Sequence, residues 1–528
     1  MNCDDPPAKP RSAGLRTARL TTTIVVLISV CLHSPAMAVN VNEGRAATRR
    51  PPNLLLIVTD DQSALTLGTE GDSHGATPHL DALARQGVHF DRAYCNSPLC
   101  TPSRQSFISG KLPHATGVTR LLTRLPDDVR TLGHSLGERG YRTAAIGKMH
   151  FNGPSSHGFE LRRDYPHWLK HLDRHPPSGG DLRKPWKPLI DPAPVWLNAR
   201  VEDAGLPAEA MDANYFVNRS IRFMKEQPDK PFALVASFYE PHAPFHFPRE
   251  WRGRYRPEQF TGPRISERER AELPKIFQDL GDADYRGIQA AYYTSVAYVD
   301  EQIGRLVRAV DDEGFGDNTL IVFLSDNGYM LGQHGRVEKH CFYEPSVRVP
   351  LIMRWPGRLP AGRRVHDLVE LVDVLPTVLG LLDVPVPPGL HGIDLSGLAA
   401  GAPGARGREV VFSEYPENEE AMARSDRYKL IVGSGRRVRK DGYATETPLP
   451  GPYERLYDEQ VDPDETHDVA ADPRLAGVKQ ELLDSLSQRF ISTWKGPEAI
   501  PQGLSQRETI HWCLIPRDKP NPGFPGHL

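Results

Sequence analysis

The chain has little of several features that mark particular protein classes. Its 528 residues contain only six cysteines, which excludes a disulfide-dense miniprotein. Its 64 Lys and Arg are balanced by 67 Asp and Glu, so it lacks the strongly basic surface typical of a nucleic-acid binder. Beyond the N-terminal region, no apolar run approaches the ~20 residues that a transmembrane helix needs. These exclusions leave a soluble enzyme or a binding protein as the expected class. At roughly 150 residues per unit, the chain is long enough for two to four folding units.

The amino terminus has the layout of a secretory signal peptide. Four basic residues come first: Lys9, Arg11, Arg16 and Arg19. An apolar run from about Leu20 to Leu32 follows, and Ala36-Met37-Ala38 then supplies small residues at a cleavage site. An uncleaved anchor is the alternative interpretation. We predict a signal peptide over residues 1–38, a linker over 39–51 and a secreted or periplasmic mature protein.

The next 350 or so residues alternate short apolar runs with helical patterns. Runs without polar alternation are typical of strands buried on both faces, and five occur: Asn53 to Thr59, Thr143 to Ile146, Phe232 to Phe238, Leu320 to Ser325 and Leu351 to Trp355. Helical patterns lie between them, such as Pro78 to Gln86 and a longer one from Gly287 to Glu313 with a single apolar stripe. This order predicts an α/β domain over residues 52–400.

The composition changes near Gly401, where a Gly- and Ala-rich stretch begins. Three short strand patterns and one helical pattern follow it: Val410 to Phe412, Met422 to Arg424, Tyr428 to Val432, and Leu475 to Phe490. These elements predict a second, smaller domain over residues 401–528.

Polar side chains directly follow four of the predicted strands: Asp60-Asp61-Gln62, Lys148 with His150, Pro241-His242, and Asp326-Asn327. Ligands of open α/β sheets bind beyond the carboxyl ends of the strands, so we expect these clusters to converge on one pocket. Asp60, Asp61, Asp326 and Asn327 offer only carboxylate and amide oxygens, the ligands that Ca²⁺ or Mg²⁺ prefers. Ordinary strand-end caps are the alternative.

Cys100 lies in the segment Cys100-Thr101-Pro102-Ser103-Arg104, with Gly110-Lys111 downstream. Pro102 suits a first helical position, so we expect the thiol at a helix N-terminus, where backbone N–H groups and the helix dipole favour an anion. Three interpretations stay open from the residues alone: a buried structural cysteine, a disulfide with Cys95, and the precursor of a more reactive group. The disulfide is slightly favoured.

These segments together resemble the type I, formylglycine-dependent sulfatases of the alkaline phosphatase-like superfamily. The resemblance rests on Cys-x-Pro-Ser-Arg and on further segments in the family's order: Asp60-Asp61, Gly147-Lys148-Met149-His150, Pro241-His242-Ala243-Pro244, Ser325-Asp326-Asn327-Gly328, Lys339, Arg427-Tyr428-Lys429 and Leu456-Tyr457-Asp458. It implies an alkaline-phosphatase-like α/β domain, whose central, mostly parallel sheet is flanked by helices. It also implies a smaller C-terminal α+β domain with an antiparallel sheet.

The resemblance also implies a chemistry. A formylglycine-generating maturation enzyme would convert Cys100 to 3-oxoalanine (formylglycine), whose hydrated form attacks the sulfur of a sulfate ester. One Ca²⁺ would be bound by the modified Cys100 together with Asp60, Asp61, Asp326 and Asn327. Arg104, Lys148 and Lys339 would stabilise the diol and the sulfate oxygens. His150 would act as the base of the elimination step, and His242, aided by Lys339, as the acid toward the leaving alcohol.

The substrate-binding residues implied in this way are Lys148, His242, Lys339 and His340, with a solvated-surface role as the alternative for His340. The expected function is that of an exported sulfatase acting on a sulfated small molecule, with a sulfated carbohydrate preferred. Two alternatives stay open. One is a phosphonate or phosphate ester hydrolase of the same superfamily, and the other is a catalytically silent protein that binds sulfated glycans.

Overall fold

The five predicted apolar runs all form strands of one large sheet. They do so in the computed structural model, which describes residues 50–177, 182, 191–436 and 451–520. The observed bounds differ from the predicted ones by one residue at most at either end. The predicted signal peptide and all but the last two residues of the predicted linker lie outside the described residues.

Seventeen strands occur in the described part of the chain. In chain order they are β1 (Asn53–Thr59), β2 (Val88–Phe90), β3 (Ala93–Tyr94), β4 (Arg142–Gly147), β5 (Leu161–Arg163), β6 (Phe232–Ser237), β7 (Thr319–Ser325), β8 (Met330–Leu331), β9 (Val337–Glu338), β10 (Arg348–Val349), β11 (Leu351–Arg354), β12 (Arg363–Val365), β13 (Val369–Glu370), β14 (Val411–Tyr415), β15 (Glu420–Arg424), β16 (Tyr428–Gly433) and β17 (Tyr453–Asp458).

The large sheet has eight strands in the order β12-β2-β11-β7-β1-β6-β4-β5. All of them run parallel except β11, which is antiparallel to both of its neighbours, β2 and β7. The predicted mostly parallel sheet is therefore confirmed. Two small sheets, β10-β3-β13 and β8-β9, lie outside it.

Fourteen α-helices occur in the same described ranges. They are α1 (Pro78–Arg85), α2 (Cys100–Ser109), α3 (Pro113–Thr116), α4 (Leu132–Gly137), α5 (Tyr165–Arg174), α6 (Ala193–Trp196), α7 (Asp212–Lys225), α8 (Glu267–Ala271), α9 (Asp282–Asp312), α10 (Glu344–Val347), α11 (Val374–Leu381), α12 (Ser396–Ala400), α13 (Ala476–Thr493) and α14 (Gln506–Cys513). None of the described helices has both the length and the apolar character required to cross a bilayer.

Helix α9 begins five residues before the predicted start at Gly287. The Asp284 carboxylate accepts a hydrogen bond of 2.9 Å from the backbone N–H of Gly281 and so caps the helix. The first turn is largely exposed and carries no apolar stripe, so hydrophobic periodicity could not reveal it. Farther along, the predicted stripe, including Val299 and Ile303, is buried as expected.

The large sheet is buried on both faces. Along β1, Leu54, Leu56 and Val58 pack into one hydrophobic cluster, whereas Leu55 and Ile57 pack into another. Successive side chains of a strand point to opposite faces, so a continuous apolar run is what a sheet covered on both sides requires. Helix α9 belongs to the second cluster and covers that face together with α1 and α7.

The C-terminal sheet is an antiparallel meander in the order β14-β15-β16-β17, as the resemblance implied. One of its faces packs on α13 and α14 through residues such as Leu430, Leu486 and Ile510. Its other face, with Met422 and Ile431, joins the same hydrophobic cluster as the large sheet. Helix α13 matches the predicted pattern from Leu475 to Phe490 and extends three residues farther. The domain boundary near Gly401 stays a prediction.

A buried ion cluster centred on Lys429 of β16 ties this sheet to the rest of the protein. Its Nζ lies 2.7 Å from a carboxylate oxygen of Glu344 in α10, 2.7 Å from Glu465 and 3.3 Å from Glu459. The Lys429 side chain has no exposed surface. Burial opposes the charge of Lys429, but the three carboxylates outweigh it and raise the pKa of the ammonium well above its usual value.

Replacing Lys429 by alanine should be strongly destabilising, because it leaves buried carboxylates without their shared cation. We expect Lys429→Ala to lower the free energy of unfolding by about 3–5 kcal/mol, measured by urea denaturation. Lys479→Ala is the matched control. Its partly exposed ammonium pairs with Glu454 at 3.3 Å, and its loss should cost less than about 1 kcal/mol. Equal losses in both variants would contradict a central role for Lys429.

Candidate active site

Four adjacent parallel strands deliver the predicted polar clusters to one edge of the large sheet. Strands β7, β1, β6 and β4 end at Ser325, Thr59, Ser237 and Gly147, and the polar residues follow directly. The Asp61 N–H donates to the Asp326 carboxylate at 3.1 Å, so the ends of β1 and β7 are bonded through a site residue. The structure therefore brings these clusters together, as the position of the strands predicts.

Three buried carboxylates lie at the centre of this edge. Oxygens of Asp60, Asp61 and Asp326 lie within 4.8 Å of one another. Burial raises the pKa of Asp61 to about 7; Lys339 opposes this rise, and the neighbouring Asp60 and Asp326 carboxylates add to it. Among the described residues, Asp61 Oδ2 and Asn327 Oδ1 are buried acceptors without a hydrogen-bond donor. Such oxygens fit a hard divalent cation.

Tyr292 of α9 fixes the strained backbone that presents Asp61. Asp61 adopts a left-handed conformation with φ of 66°, which is uncommon for a residue with a Cβ. The Tyr292 hydroxyl donates to the Asp61 carbonyl oxygen at 2.6 Å and accepts from the Ser63 N–H at 3.1 Å. Helix α9 thus fixes the backbone of the turn after β1 through the Tyr292 hydroxyl.

Gly147 allows the ends of β4 and β6 to approach each other. Its φ is 101°, and a Cβ built there would lie 1.6 Å from the Ser237 carbonyl oxygen. The same carbonyl accepts a hydrogen bond of 3.0 Å from the Lys148 N–H. The contact directs Lys148 to the site, because only a glycine fits immediately before it.

Cys100 is the first residue of α2 and lies against the carboxylates. Its Sγ is 3.5 Å from Asp60 Oδ1, 3.9 Å from Asp61 Oδ1 and 3.0 Å from Lys339 Nζ. Burial and the Asp60 charge raise the pKa of the thiol well above its usual value. Pro102 is the third helical residue rather than the first, which is tolerated because first-turn N–H groups have no partner within the helix.

The disulfide between Cys95 and Cys100, slightly favoured from the residues alone, is absent. Both are free and buried, as are Cys341 and Cys513 among the described residues. Cys95 Sγ instead lies 4.0 Å from the Ser346 carbonyl oxygen. No disulfide therefore prevents chemical modification of the Cys100 thiol.

Two buried lysines bring positive charge to the same point. Lys148 Nζ lies 2.5 Å from Asp60 Oδ2, and Lys339 Nζ lies 2.5 Å from Asp61 Oδ1. The two side chains are 0% and 4% exposed. Burial lowers the pKa of Lys339, but the Asp61 carboxylate and other nearby anionic groups outweigh it and raise that pKa well above its usual value.

Arg104 joins the carboxylates to one another. Its Nε donates to Asp326 Oδ2 at 2.6 Å, and one terminal nitrogen donates to Asp60 Oδ2 at 2.9 Å. The remaining donors bond to the Lys148 carbonyl oxygen, the Ser237 hydroxyl and the Thr59 carbonyl oxygen. With all five N–H groups engaged, Arg104 has none left for a sulfate oxygen. In this structure Arg104 holds Asp60 and Asp326 in position, and its predicted contact with the sulfate stays a prediction.

The two histidines flank the cysteine from different strands. His150 Nδ1 lies 3.2 Å from the Thr101 hydroxyl, within the cysteine segment itself. His242 Nδ1 donates to the Ala243 carbonyl oxygen at 2.7 Å, and its Nε2 lies 3.7 Å from Asp61 Oδ2. Burial, followed by Lys148, lowers the pKa of both rings well below the usual value. These surroundings favour the neutral form of both imidazoles.

His340 lies next to Lys339 at the edge of the site. Its Nδ1 is 3.6 Å from Glu338 Oε2, and its ring centroid is 5.8 Å from that of Tyr415 in β14. The predicted substrate contact of His340 stays a prediction.

Sequence reasoning did not identify three residues that build the site. Tyr292 lies 231 positions from Asp61, and Ser237 lies 133 positions from Arg104, so no local pattern relates them. Thr101 stands inside the cysteine segment, but the segment does not reveal that its hydroxyl meets His150. Only the folded arrangement shows these contacts.

Two family models match the chain. The model described as "Sulfatase" matches residues 52–384, and the model described as "N-sulphoglucosamine sulphohydrolase, C-terminal" matches residues 332–491. The two ranges together cover the large sheet and the whole of the C-terminal sheet.

Individual relatives are similar over much of the chain. Iduronate 2-sulfatase of Mus musculus is 30% identical over 394 residues, covering 64% of this chain and 69% of that protein. Delta 4,5-hexuronate-2-O-sulfatase of Bacteroides thetaiotaomicron is 27% identical over 512 residues, covering 91% and 96%. Among solved structures, phosphonate monoester hydrolase of Agrobacterium radiobacter has a TM-score of 0.71 at 24% identity, covering 85% and 98%, a likeness that shows the fold alone. The match over residues 52–384 shows that this chain belongs to the sulfatase family, whose members are sulfuric ester hydrolases of the alkaline phosphatase-like superfamily.

Proposed function

We propose that this protein is an exported sulfatase that hydrolyses a sulfate ester of a carbohydrate. One observation carries the proposal: the Cys100 sulfur lies at the start of a buried helix, 3.0 Å from Lys339 Nζ and 3.5 Å from Asp60 Oδ1. A group formed at the position of this sulfur would lie between the Lys339 ammonium, which can bind an anion, and the carboxylate cluster, which can bind a cation. The signal-peptide pattern of residues 1–38 supports export.

The proposed site requires two groups that the chain must acquire. Ca²⁺, when bound, supplies a Lewis acid, and formylglycine at position 100 supplies the nucleophilic oxygen. The ligands would be Asp60, Asp61, Asp326, Asn327 and the modified Cys100. The unsatisfied oxygens Asp61 Oδ2 and Asn327 Oδ1 support this assignment, because each is a buried acceptor with no donor among the described residues.

Lys148 and Lys339 would hold the sulfate group. Both ammonium groups are buried, and each has one close carboxylate partner and a flexible stem, so remaining N–H bonds can turn toward an anion. Their charges act in a site largely closed to water, where electrostatic stabilisation of a developing anion is strong. Arg104 would serve by keeping Asp60 and Asp326 in place.

His242 would protonate the leaving alcohol from Nε2. Its Nδ1–H is engaged with the Ala243 carbonyl oxygen, so Nε2 is the nitrogen that faces the site and must carry the transferred proton. Burial, Lys148 and Lys339 lower its pKa in the free protein. An anionic sulfate ester bound between the lysines offsets their charge and favours the protonated ring.

His150 would act as the base. The same lowered pKa suits this role, because a neutral imidazole has a free lone pair that can accept a proton. The Thr101 hydroxyl contacts Nδ1 at 3.2 Å and fixes the ring orientation.

The names of two relatives support a carbohydrate substrate. Iduronate 2-sulfatase and Delta 4,5-hexuronate-2-O-sulfatase both act, by name, on a 2-sulfated uronate. We therefore propose that sulfated uronates are the first substrates to test. One alternative is a phosphonate ester hydrolase, since the phosphonate monoester hydrolase described above has the same fold as this chain. The other is a protein that binds sulfated glycans at this site without hydrolysing them.

Conversion of Cys100 is the first expected outcome. The peptide containing residue 100, isolated from active enzyme, should react with a hydrazide probe for aldehydes. Cys100→Ala should lower kcat on the order of 10⁴–10⁶-fold, because the nucleophile is lost. Cys95→Ala, which removes another buried free thiol, should retain both the aldehyde and the activity. A thiol at residue 100 in active enzyme would contradict the proposed nucleophile, and a larger kcat/KM for a phosphonate monoester than for a sulfate ester would favour the alternative reaction.

Calcium binding is the second expected outcome. Ca²⁺ at about 100 times its Kd should stabilise the folded protein by about 2.7 kcal/mol, seen as a rise in Tm, and a chelator should remove activity. Asp61→Asn keeps the side-chain size but removes a charged ligand, so it should weaken Ca²⁺ binding by roughly 10-fold or more. Asp311→Asn, on a half-exposed carboxylate paired with Arg354, should leave the Ca²⁺-dependent rise unchanged. A rise of equal size in all three proteins would refute the assigned ligands.

A leaving-group test separates the role of His242. An acid matters most when the leaving group is poor, so His242→Ala should lower kcat/KM for a sugar sulfate by about 10²–10⁴-fold and affect 4-nitrophenyl sulfate much less. His467→Ala, on an exposed ring, should change neither substrate. Equal losses on both substrates would mean that His242 is not the acid.

A further inference from the structure

A cleft of about 690 Å³ lies apart from the candidate active site. Its walls come from four parts of the chain: residues 111–119, 126–129, 388–391 and 494–518. None of the predicted site residues lines it. Lys111 follows the far end of α2, so the helix, at about 1.5 Å per residue, separates it from Cys100 by roughly 15 Å. The volume falls within the roughly 300–1,000 Å³ of ligand-binding pockets.

Two lysines of the cleft have no carboxylate partner in the described part of the chain. Within the ranges that the structure describes, neither Lys111 nor Lys495 forms an ion pair. Arg517 also lines the cleft, and its Nε lies 3.7 Å from a carboxylate oxygen of the exposed Glu498. The lysines therefore present unneutralised charge to a ligand.

The acidic residues of the cleft offset only part of that charge, because Lys111, Lys495 and Arg517 outnumber Asp128 and Asp518 in the lining. Asp518 is buried and accepts hydrogen bonds from the N–H and hydroxyl of Thr119, from the Thr123 hydroxyl and from Arg120 Nε. Its carboxylate is thus satisfied within the protein. Asp128 is the other carboxylate of the lining and is exposed to solvent at the rim.

His391 adds a neutral hydrogen-bond donor. Its Nδ1 accepts from the Leu112 N–H at 3.1 Å, so the proton of the neutral ring is on Nε2. Burial, followed by His114 and by the nearby Arg489, Lys111 and Lys495, lowers the pKa of His391 to about 3. The ring stays neutral at physiological pH and offers Nε2–H to an oxygen of a ligand.

Trp494 forms a rigid apolar wall beside these groups. Its ring lies nearly parallel to that of His114, with centroids 5.7 Å apart and an interplanar angle of 9°. The Arg517 guanidinium lies 5.1 Å from the Trp494 centroid, and the indole N–H donates to the Glu498 carbonyl oxygen at 2.8 Å. His114 and Arg517 lie against the indole, and the Trp512 ring centroid is 5.1 Å from that of Trp494. These contacts hold Trp494 in one position as a fixed apolar part of the cleft wall.

We propose that this cleft is a second, non-catalytic binding site for an anionic oligosaccharide. Sulfate or carboxylate groups bind Lys111 and Lys495, and a ring or hydroxyl oxygen accepts from His391 Nε2. The proposal rests on the carbohydrate substrate proposed above. A polysaccharide held at a second site would raise the effective concentration of its sulfate esters near the catalytic site.

Hydrogen–deuterium exchange tests the location of binding. The full-length Cys100→Ala protein, which cannot turn over the probe, is mixed with chondroitin sulfate tetrasaccharide, hyaluronan tetrasaccharide or maltotetraose. We expect slowed exchange in residues 111–119 and 494–498 with an anionic probe and none with maltotetraose. Slowing with hyaluronan would show that a carboxylate suffices, whereas slowing with chondroitin sulfate alone would assign the cleft to sulfate. No slowing with either anionic probe would overturn the proposal.

Calorimetry of the same protein tests the groups involved. Lys111→Ala with Lys495→Ala should weaken this binding about 10-fold or more, because two charge-assisted hydrogen bonds are lost. Lys495→Glu alone reverses an exposed charge without disturbing the core and should also weaken it, by an amount that falls as salt is raised. Lys225→Ala with Lys230→Ala replaces two exposed lysines that do not line the cleft; it is the matched control and should bind normally. Equal affinity in all of these proteins would overturn the proposal.

The two proposals fail in different ways. Hydrolysis of sulfated uronates by the unsubstituted, matured enzyme tests the proposed function separately. An active enzyme without binding at residues 111–119 and 494–498 overturns the second site alone. If the anionic probes bind at residues 111–119 and 494–498 but the matured enzyme hydrolyses no sulfate ester, the proposed sulfatase function is wrong. The cleft would then still be an anion-binding site, but not one that serves a sulfated substrate of this enzyme.

Discussion

The ion pairs of Arg104 with Asp60 and Asp326 are the interaction on which the candidate site depends. They connect α2 to the ends of β1 and β7 at distances of 2.9 and 2.6 Å, in surroundings that exclude water. Three buried carboxylates would repel one another, so their crowding is possible only because Arg104, Lys148 and Lys339 lie among them. The same arrangement leaves Asp61 Oδ2 and Asn327 Oδ1 without a donor among the described residues, and a divalent cation would bind these two oxygens.

The large sheet makes that crowding rigid. Strand β1 is buried on both faces, so neither its position nor its register can change without disturbing two hydrophobic clusters. Tyr292 extends this constraint to the site, since it belongs to the core helix α9 and bonds directly to the backbone of Asp61. Asp61 keeps its left-handed backbone conformation because the surrounding contacts, including that of Tyr292, hold it in place.

The C-terminal sheet contributes to the same structure rather than standing apart from it. Its inner face shares a hydrophobic cluster with the large sheet, and Lys429 binds Glu344 of α10 across the junction. The cleft lined by Lys111 and Lys495 lies at another part of this junction, where segments distant in sequence meet. Junctions of this kind are common places for ligand sites, because no single element fills the space between them.

Five of the eight strands of the large sheet, their order along the chain and the candidate residues could be predicted from the sequence. The five apolar runs predicted strand bounds to within one residue, because burial on both faces excludes polar residues from the whole strand. The cysteine segment, the paired aspartates and the strand-end polar residues were sufficient to indicate the family. Their catalytic and ligand roles remain predictions.

Several contacts and one helix boundary became visible only in the folded structure. Cys95 and Cys100 are free thiols, and all N–H groups of Arg104 form hydrogen bonds within the protein. Helix α9 begins before its apolar stripe. The fold also brings Lys111 and Lys495 to one cleft across 384 positions of sequence. Periodicity reports which face of an element is buried, but contacts between distant residues depend on how those faces pack, and no local pattern encodes that packing.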